Sequence, residues 1–166
     1  AYPKLDHNND LLIDNWLLEN GLPDGSFINL GQIANKNFPE LLSSADMALF
    51  PNRCEPGTNL VAMEAMAMGI QCVISANTGH LDIISNETCY ALLTQKDVNP
   101  YNPYDHVDGW GEASIEEIID QMEKLYLDQE AAQKIGDNAS KFMEKYSWDN
   151  QIDKLLDAVD DLYSKY

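Results

Sequence analysis

The chain has 166 residues, enough for one domain with a hydrophobic core. It carries 28 acidic and 10 basic side chains, and its net charge of −18 disfavours binding to nucleic acid and to anionic membrane surfaces. Its cysteines, Cys54, Cys72 and Cys89, have no C-x-x-C spacing, which argues against a disulfide scaffold and a zinc site and favours a reduced, cytoplasmic setting.

Targeting signals are not visible in the sequence. No apolar run reaches the roughly 18 residues of a membrane span, and no signal peptide is recognisable. The chain starts at Ala1 without methionine, in sequence typical of the interior of a domain, so we expect a piece of a longer protein. Without an internal repeat, low-complexity segment or linker, we interpret 1–166 as a single partial domain.

The first half of the chain predicts short strands that alternate with helices, as in a buried parallel sheet. The apolar spacing from Leu11 to Leu17 predicts a helix that Gly21 ends. In order, we predict a helix over Asp10–Asn20, a strand over Phe27–Leu30, a helix over Phe38–Ser44, a strand over Met47–Phe50, a helix over Leu60–Met68 and a strand over Cys72–Ser75.

The second half predicts a last strand and then helices. A short helix over Leu81–Ser85 and a strand over Tyr90–Leu93 precede Gln95–Gly111, which we interpret as a long loop, either a surface excursion or a lid. Three helices should then pack as a C-terminal cap. The first begins at a capping box of Ser114 and Glu117, the second spans Gln129–Lys145, and the third is capped by Ser147.

One stretch, Glu55–Gly69, has the composition of a ligand site. Glu64 lies inside an otherwise apolar helix, so we predict that it is buried and that its carboxylate faces the carboxyl ends of the strands. Thr58 or Asn59 can cap the helix start, whose free N–H groups attract phosphate. Two carboxylates beside such a start suit a ligand with phosphate and hydroxyls, such as a nucleotide sugar. The alternative is structural, with Glu64 as an internal hydrogen-bond partner and an ordinary capped loop.

Several motifs in a fixed order support the ligand-site interpretation. They are Ser43-Ser44-Ala45-Asp46-Met47-Ala48-Leu49-Phe50-Pro51, Glu55-Pro56-Gly57, Glu64-Ala65-Met66-Ala67-Met68-Gly69, Cys72-Val73-Ile74-Ser75 and Gly79-His80. This combination resembles the C-terminal, donor-binding domain of retaining GT-B glycosyltransferases of the group 1 type. The chain departs from the family pattern in having eight residues between its two glutamates where the family usually has seven. Gln71 also replaces a common proline, and His80 a common glycine.

The resemblance implies a Rossmann-like α/β fold, with a parallel sheet between helices on both faces, without its first strands and followed by C-terminal helices. It also implies roles for individual residues. Glu55, the catalytic candidate, would hold the donor sugar, and Glu64 would hold the ribose. The remaining donor-binding candidates are Gly57, Thr58, Asn59, Leu60, Arg53, Gly79 and His80.

The activity that the resemblance implies is hexosyl transfer with retention from a UDP-, GDP- or ADP-sugar, with no metal and no cofactor other than this substrate. The expected partner is a missing N-terminal acceptor-binding domain, through which the cytoplasmic protein would lie at a membrane surface. We expect the chain to be inactive alone. A sugar-nucleotide epimerase of GT-B fold and a non-catalytic nucleotide-binding fragment remain as alternatives.

Overall fold

The computed structural model describes residues 9–102 and 106–165, and the chain divides into two units, residues 1–38 and 39–166. Its α-helices are α1 (Asn9–Glu19), α2 (Phe38–Leu42), α3 (Leu60–Ala67), α4 (Ile115–Leu127), α5 (Gln129–Met143) and α6 (Trp148–Tyr163). Its strands are β1 (Met47–Phe50), β2 (Gln71–Ser75), β3 (Tyr90–Leu92), β4 (Gln95–Asp97) and β5 (Gly111–Ala113). Short 3₁₀ turns cover Asn35–Asn37, Thr78–Asp82 and Glu144–Tyr146.

In the first unit, α1 ends in the way that the sequence predicts. Gly21 adopts a φ of 91°, which glycine reaches without steric cost. Its N–H donates to Leu18 O over 3.0 Å, and Leu22 N–H donates to Leu17 O over 3.1 Å. This pair of bonds satisfies the last carbonyls of the helix and confirms Gly21 as its cap.

The strand predicted over Phe27–Leu30 is wrong. These residues have no regular secondary structure, and Ile28 is 83% exposed. A strand is stable only when its backbone pairs with a neighbour and one of its faces is covered. The apolar residues of this segment are too few and too exposed to provide the second condition.

The second unit contains a three-stranded parallel sheet with the order β1-β2-β3. Met47 pairs with Gln71 at one end of the ladder, and Ser75 pairs with Leu92 at the other. Four consecutive residues of β2, from Cys72 to Ser75, are buried, as expected for a central parallel strand. The predicted α/β class and the strands β1, β2 and β3 are therefore confirmed, although β3 is not the last strand of the chain.

Helices cover both faces of this sheet, as predicted. Successive side chains of β2 point to opposite faces, so Cys72 and Ile74 lie in one core cluster with Ala62 and Met66 of α3. Val73 lies in the other cluster, with Leu125 of α4. Helix α5 contributes Ala139 and Met143 to the first cluster and Ala132 to the second.

The contact between α5 and the end of α3 depends on glycine. A Cβ placed on Gly136 would lie only 2.1 Å from the carbonyl oxygen of Gly69. Gly69 itself has a φ of 75° and ends α3, as the sequence predicts. Nearby, the Ser140 hydroxyl donates to Ala67 O over 2.9 Å, so α5 also satisfies one of the last carbonyls of α3.

Two predictions between β2 and α4 need correction. The segment before β3 contains the 3₁₀ turn over Thr78–Asp82 instead of an α-helix over Leu81–Ser85. The predicted loop Gln95–Gly111 begins with β4 and ends at β5, and these strands pair antiparallel, with Gln95 opposite Ala113. Each strand has only three residues, too few for a detectable alternation of polar and apolar side chains.

At the start of α4, half of the predicted capping box forms. The Ser114 hydroxyl accepts a bond from Glu117 N–H over 3.1 Å. The Glu117 carboxylate instead accepts bonds from Leu93 N–H over 2.8 Å and Thr94 N–H over 2.9 Å, directly after β3. Glu117 therefore ties α4 to the sheet because these exposed N–H groups compete with the helix start for its carboxylate.

The predicted C-terminal cap of three helices is only partly correct. Helices α4 and α5 pack on the sheet, but α6 contains no buried residue. Ser147 does cap α6 and accepts a long bond of 3.4 Å from Asn150 N–H. The apolar stripe that predicts this helix, Ile152, Leu155, Leu156, Val159 and Leu162, lies exposed.

Two of the cysteines lie in the hydrophobic core. Burial raises the pKa of the Cys72 thiol to about 12 and that of Cys89 to about 11, whereas Cys54 is half-buried. Among the residues that the structure describes, no helix has both the length and the apolar composition needed to cross a bilayer.

Candidate functional site

Loops that follow the parallel strands meet at the carboxyl end of the sheet. We call residues 51–59, between β1 and α3, the first loop, and residues 76–80, after β2, the second loop. Gly79 N–H donates to Glu55 O over 3.0 Å, and the Asn77 side chain donates to Asn52 O over 2.8 Å. Ligands of open parallel sheets bind at this end of the strands, so the loops occupy the expected position for a site.

The two loops approach each other so closely that one position must be glycine. A Cβ on Gly79 would lie 1.4 Å from Gly57 O and 2.8 Å from Glu55 O. Both neighbouring atoms belong to the backbone, so no side-chain rotation can relieve the clash. The sequence predicts Gly57 and Gly79 as separate contributors to one site, and the structure brings them into contact.

The start of α3 is held by Asn59, one of the two caps that the sequence proposes. Asn59 adopts a φ of 60°, and its Oδ1 accepts a bond from Ala62 N–H over 3.1 Å. A positive φ is uncommon outside glycine, although asparagine tolerates it better than most residues. The other proposed cap, Thr58, instead donates its hydroxyl to the Met63 sulfur over 3.1 Å.

The Glu55 carboxylate is held in position by the first loop but accepts only two long hydrogen bonds there. Its side chain is half-buried, and its carboxylate accepts from Asn52 Nδ2 and from Gly57 N–H, each over 3.4 Å. Both bonds are long compared with the usual 2.9–3.0 Å or so for N–H···O. The carboxylate therefore keeps most of its capacity to accept hydrogen bonds from a ligand.

His80 lies behind the first loop and is fully buried. Its Nε2 lies 2.9 Å from Asn59 Nδ2, and its Nδ1 lies 3.0 Å from Ser75 O. Burial lowers the pKa of the ring, opposed by the bond to Ser75 and by the charge of Glu55. Since both nitrogens are occupied inside the protein, the ring reaches the surface of the site only through Asn59.

Asn77 and Thr78 hold the loops together, although neither is predicted from the sequence as a site residue. The Asn77 amide nitrogen donates to Asn52 O, to Gln95 Oε1 over 2.9 Å and to Gly111 O over 3.1 Å. The Thr78 hydroxyl accepts from Glu55 N–H over 2.7 Å and donates to Asn77 Oδ1. Thr78 has a φ of 42°, which is strained for a β-branched residue. The only sequence signal for this role is a polar run directly after a buried strand.

The prediction that Glu64 is buried is wrong. Glu64 is exposed, and so are Leu60, at 72%, and Val61, so α3 covers the core with only one side. The covered side contains Ala62, Ala65 and Met66, whose small or flexible side chains suit close packing. Glu64 instead borders an open groove of about 440 Å³ between α3 and the C-terminal helices. The groove is lined by Leu60, Met63, Glu64, Ala67, Ser140, Met143, Glu144, Tyr146 and Ser147.

Arg53 contacts β5. Its guanidinium forms an ion pair with the Glu112 carboxylate, and its backbone carbonyl accepts from Gly111 N–H over 2.9 Å. Both side chains are about half exposed, at 56% and 48%, so solvent and salt screen the pair. Within residues 9–102 and 106–165, no group of three histidine, cysteine, aspartate or glutamate side chains could hold a metal ion.

Comparison with known proteins gives a consistent result. The family model described as "Glycosyl transferases group 1" matches residues 8–102, more than half of the chain. The chain is 34% identical over 122 residues to a protein of Methanocaldococcus jannaschii described as an uncharacterized glycosyltransferase. That match covers 73% of this chain and only 27% of the relative, so the chain spans about a quarter of that protein's length.

Solved structures share the fold. A sucrose-phosphate synthase from Thermosynechococcus elongatus superposes with a TM-score of 0.69 at 21% identity, over 100% of this chain and 37% of that protein. The C-terminal domain of a glycosyl transferase group 1 family protein from Francisella tularensis superposes with a TM-score of 0.60 at 24% identity. It covers 89% of this chain and 67% of that domain. The expected GT-B C-terminal fold is therefore confirmed.

Proposed function

Because the chain belongs to the glycosyl transferases group 1 family, we propose that it is the donor-binding part of an enzyme that transfers a sugar from a nucleotide sugar to an acceptor with retention. One observation carries the proposal. The start of α3 lies beside the carboxylate of Glu55 at the carboxyl end of the parallel sheet, and this carboxylate can still accept hydrogen bonds. This pairing places anion-binding N–H groups beside an acceptor of hydroxyl hydrogen bonds.

In this proposal, Glu55 accepts hydrogen bonds from hydroxyls of the transferred sugar. Its two long internal bonds fix the direction of the carboxylate and leave lone pairs for the ligand. The backbone N–H groups of Thr58, Asn59 and Leu60 are the candidates for contacts with the sugar and the phosphates, and the Gly57 N–H supports Glu55. Gly79 supports this loop from behind through its contact with Gly57.

Glu64 accepts from the adjacent ribose hydroxyls in the same proposal. It is the fifth residue of α3, on the same side of the helix as Leu60 and one turn beyond the helix start. Its exposure in the groove leaves its carboxylate open to a ligand, and within residues 9–102 and 106–165 no hydrogen bond or ion pair holds the carboxylate in one orientation. Positioning of the ribose would therefore depend on ordering Glu64 when the donor binds, which costs side-chain entropy.

The chemical step needs stabilisation of the diphosphate that leaves when the sugar is transferred. The N–H groups at the start of α3 are fixed dipoles for this charge, and Arg53 of the first loop, whose guanidinium pairs with Glu112, is the candidate cation. We propose that the reaction uses no metal and no cofactor beyond a UDP-, GDP- or ADP-hexose. Because the chain has a net charge of −18, a dianionic donor must be bound by local groups against the overall field.

The chain spans only part of the length of its relatives, so other parts of the enzyme need their own assignment. This chain covers 27% of the M. jannaschii protein, so acceptor binding is assigned to a further domain, through which a cytoplasmic enzyme would lie at a membrane. Alone, the chain would bind donor without turnover. The second candidate is a non-catalytic nucleotide-binding unit, which would bind a nucleotide through the same groups without transferring a sugar.

Calorimetric titration of the 166-residue chain with UDP-glucose, GDP-mannose and ADP-glucose tests donor binding. We expect one of these ligands to bind. Glu55→Ala should weaken the binding of that sugar nucleotide more than it weakens the binding of the free nucleoside diphosphate. Absence of binding by all three, in a chain shown by circular dichroism to be folded, would contradict the proposal.

A test of retention requires a protein that catalyses the transfer. With a longer natural protein that carries this chain, NMR of the freshly formed product should show the same anomeric configuration as the donor. Inversion would contradict the retaining assignment. Release of an epimerised sugar nucleotide would favour the epimerase, and binding without turnover would favour the non-catalytic unit.

A further inference from the structure

We propose that His80 is a positioning residue that makes the site sensitive to pH. The neutral ring holds the Asn59 cap of α3, and protonation of the ring releases that cap and weakens donor binding. The part that concerns the donor rests on the function proposed above. The part that concerns the ring and the cap rests on the chain alone.

The hydrogen bonds fix the protonation state of the ring. Asn59 must present Oδ1 to Ala62 N–H, because only an oxygen can accept that bond, so its Nδ2 hydrogens point at His80 Nε2 over 2.9 Å. Nε2 is therefore an acceptor and carries no proton. Ser75 O is also an acceptor, so the ring must donate to it from a protonated Nδ1 over 3.0 Å. Both requirements hold for the neutral Nδ1–H tautomer.

A second proton cannot be accommodated without breaking the cap. Protonated Nε2 would place an N–H against the Asn59 NH₂ group, donor against donor, at 2.9 Å. Rotating the Asn59 amide by half a turn would satisfy the ring but would present NH₂ to Ala62 N–H. Either arrangement costs one hydrogen bond at the start of α3, which is where the donor phosphates are proposed to bind.

The surroundings keep the ring neutral in the resting protein. Full burial disfavours the charged ring and lowers its pKa below the ordinary value of 6.5, and the bond to Ser75 and the charge of Glu55 only partly oppose this. Glu55 belongs to the first loop, and Asp82 is the exposed carboxylate of the turn that carries His80. The unfolded chain binds the proton more tightly, so stability falls as the pH drops below 6.5 towards the folded pKa.

The position of Asn59 explains why a lost bond would affect the whole site. Its positive φ is maintained by two bonds, one to the helix and one to the ring. Asn59 also precedes Leu60, the first residue of the helix whose N–H groups face a ligand. Without the bond to the ring, the asparagine can leave the left-handed region, and the direction of these N–H groups changes.

Two-dimensional NMR of the ¹⁵N-histidine-labelled chain tests the ring directly. His80 is assigned by the loss of its signals in His80→Gln. We expect the Nδ1–H tautomer at pH 7.5 and a ring pKa below 6.5. An Nε2–H tautomer, or a pKa above 6.5, would overturn the proposal whatever the chain binds.

Asn59→Asp provides a sharper test because it should reverse the direction in which the pKa of His80 is shifted. Aspartate can still accept from Ala62 N–H, but its second oxygen accepts from a protonated Nε2, so the imidazolium satisfies every partner. We expect the pKa of His80 to rise above 6.5 in this variant. An unchanged or lowered pKa would show that Asn59 and His80 are not coupled.

The effect on donor binding is measured with whichever of UDP-glucose, GDP-mannose or ADP-glucose binds at pH 7.5. We expect its affinity to fall about fivefold on protonation of His80, the size of one lost helix cap. His80→Gln, which does not titrate, should bind the donor with an affinity that no longer depends on pH in this range. The matched control, His106→Gln, changes an exposed histidine and should keep the pH dependence of donor affinity seen in the parent.

The outcomes separate the two proposals. If the tautomer and pKa results hold but none of the three ligands binds, the ring and cap are supported and the proposed function fails. If a donor binds with the same pH dependence in His80→Gln as in the parent, the proposed function stands and His80 is not the pH-sensitive residue.

Discussion

The two glutamates of the site stand in different surroundings. Glu55 is half-buried in a loop whose backbone is bound to Thr78 and Gly79, whereas Glu64 lies exposed on an open groove. The first is preorganised by the fold, and the second must be ordered by the ligand. In the proposed function Glu55 orients the transferred sugar and Glu64 binds the ribose, so replacing Glu55 should mainly lower kcat and replacing Glu64 should mainly raise donor KM.

The largest effect is expected where the two loops touch. Gly79→Ala places a Cβ 1.4 Å from Gly57 O, so backbone must move, and we expect a loss of about 3 kcal/mol or more in the free energy of unfolding. Gly57→Ala is the matched control, because its nearest neighbour, Glu55 Oε1, lies 4.0 Å away. It should cost less than about 1 kcal/mol. Equal losses in urea unfolding of the two variants would show that the loops move apart freely.

Glu55→Ala removes the preorganised carboxylate. In an active protein that carries this chain, we expect kcat to fall about 10- to 150-fold, since each charge-assisted hydrogen bond contributes about 1.5–3 kcal/mol, with a smaller change in donor KM. Glu55→Gln keeps the shape of the side chain and loses its charge, so its kcat should lie between those of the parent and of Glu55→Ala. Near-normal kcat in the alanine variant would mean that the longer loop assigns this role to another residue, with Asn59 the first candidate.

Glu64→Ala should behave in the opposite way. If Glu64 binds the ribose as proposed, it contributes equally to the ground state and the transition state, so donor KM should rise about tenfold and exceed the change in kcat. Glu144→Ala is a suitable control, because Glu144 is another exposed carboxylate of the same groove. Steady-state kinetics with varied donor measures both. If Glu144→Ala raises KM as much as Glu64→Ala does, the effect comes from the charge of the groove and not from a specific contact.

The smallest effect is expected at the ion pair of Arg53 and Glu112. Both side chains are about half exposed, so Glu112→Gln should change the free energy of unfolding by less than about 1 kcal/mol, and added salt should reduce the difference. Urea unfolding at low and high salt measures this. A loss of 2 kcal/mol or more would mean that the pair fixes β5 beside the first loop.

The parts of the fold that the sequence predicts correctly are those that local pattern determines. Strand β2 is a short apolar run between Gly69 and a polar loop, and α3 consists of strong helix formers ended by that glycine. The segment Phe27–Leu30 has a similar local pattern but belongs to neither of the sheets that the structure describes. The pairing of β4 with β5 depends on contacts between distant residues, which periodicity cannot show.

The sequence predicts which candidate residues share one edge of the sheet but not how their side chains are connected. The candidates Glu55, Gly57, Asn59, Gly79 and His80 do lie together, because the carboxyl ends of neighbouring parallel strands share one edge. The exposure of Glu64 could not be foreseen, because a helix that is apolar all round does not indicate which side the core covers. The roles of Asn77 and Thr78 depend on the side chains that meet in three dimensions.

The arrangement of the three cysteines makes the site accessible to selective chemical labelling. Thiol reagents attack the thiolate, and burial raises the pKa of Cys72 to about 12 and that of Cys89 to about 11, so both should stay unmodified while the sheet is folded. Cys54 is half-buried and directly precedes Glu55. A fluorophore or spin label attached there would report on the first loop without mutagenesis, and late modification of the other two thiols would time the opening of the core.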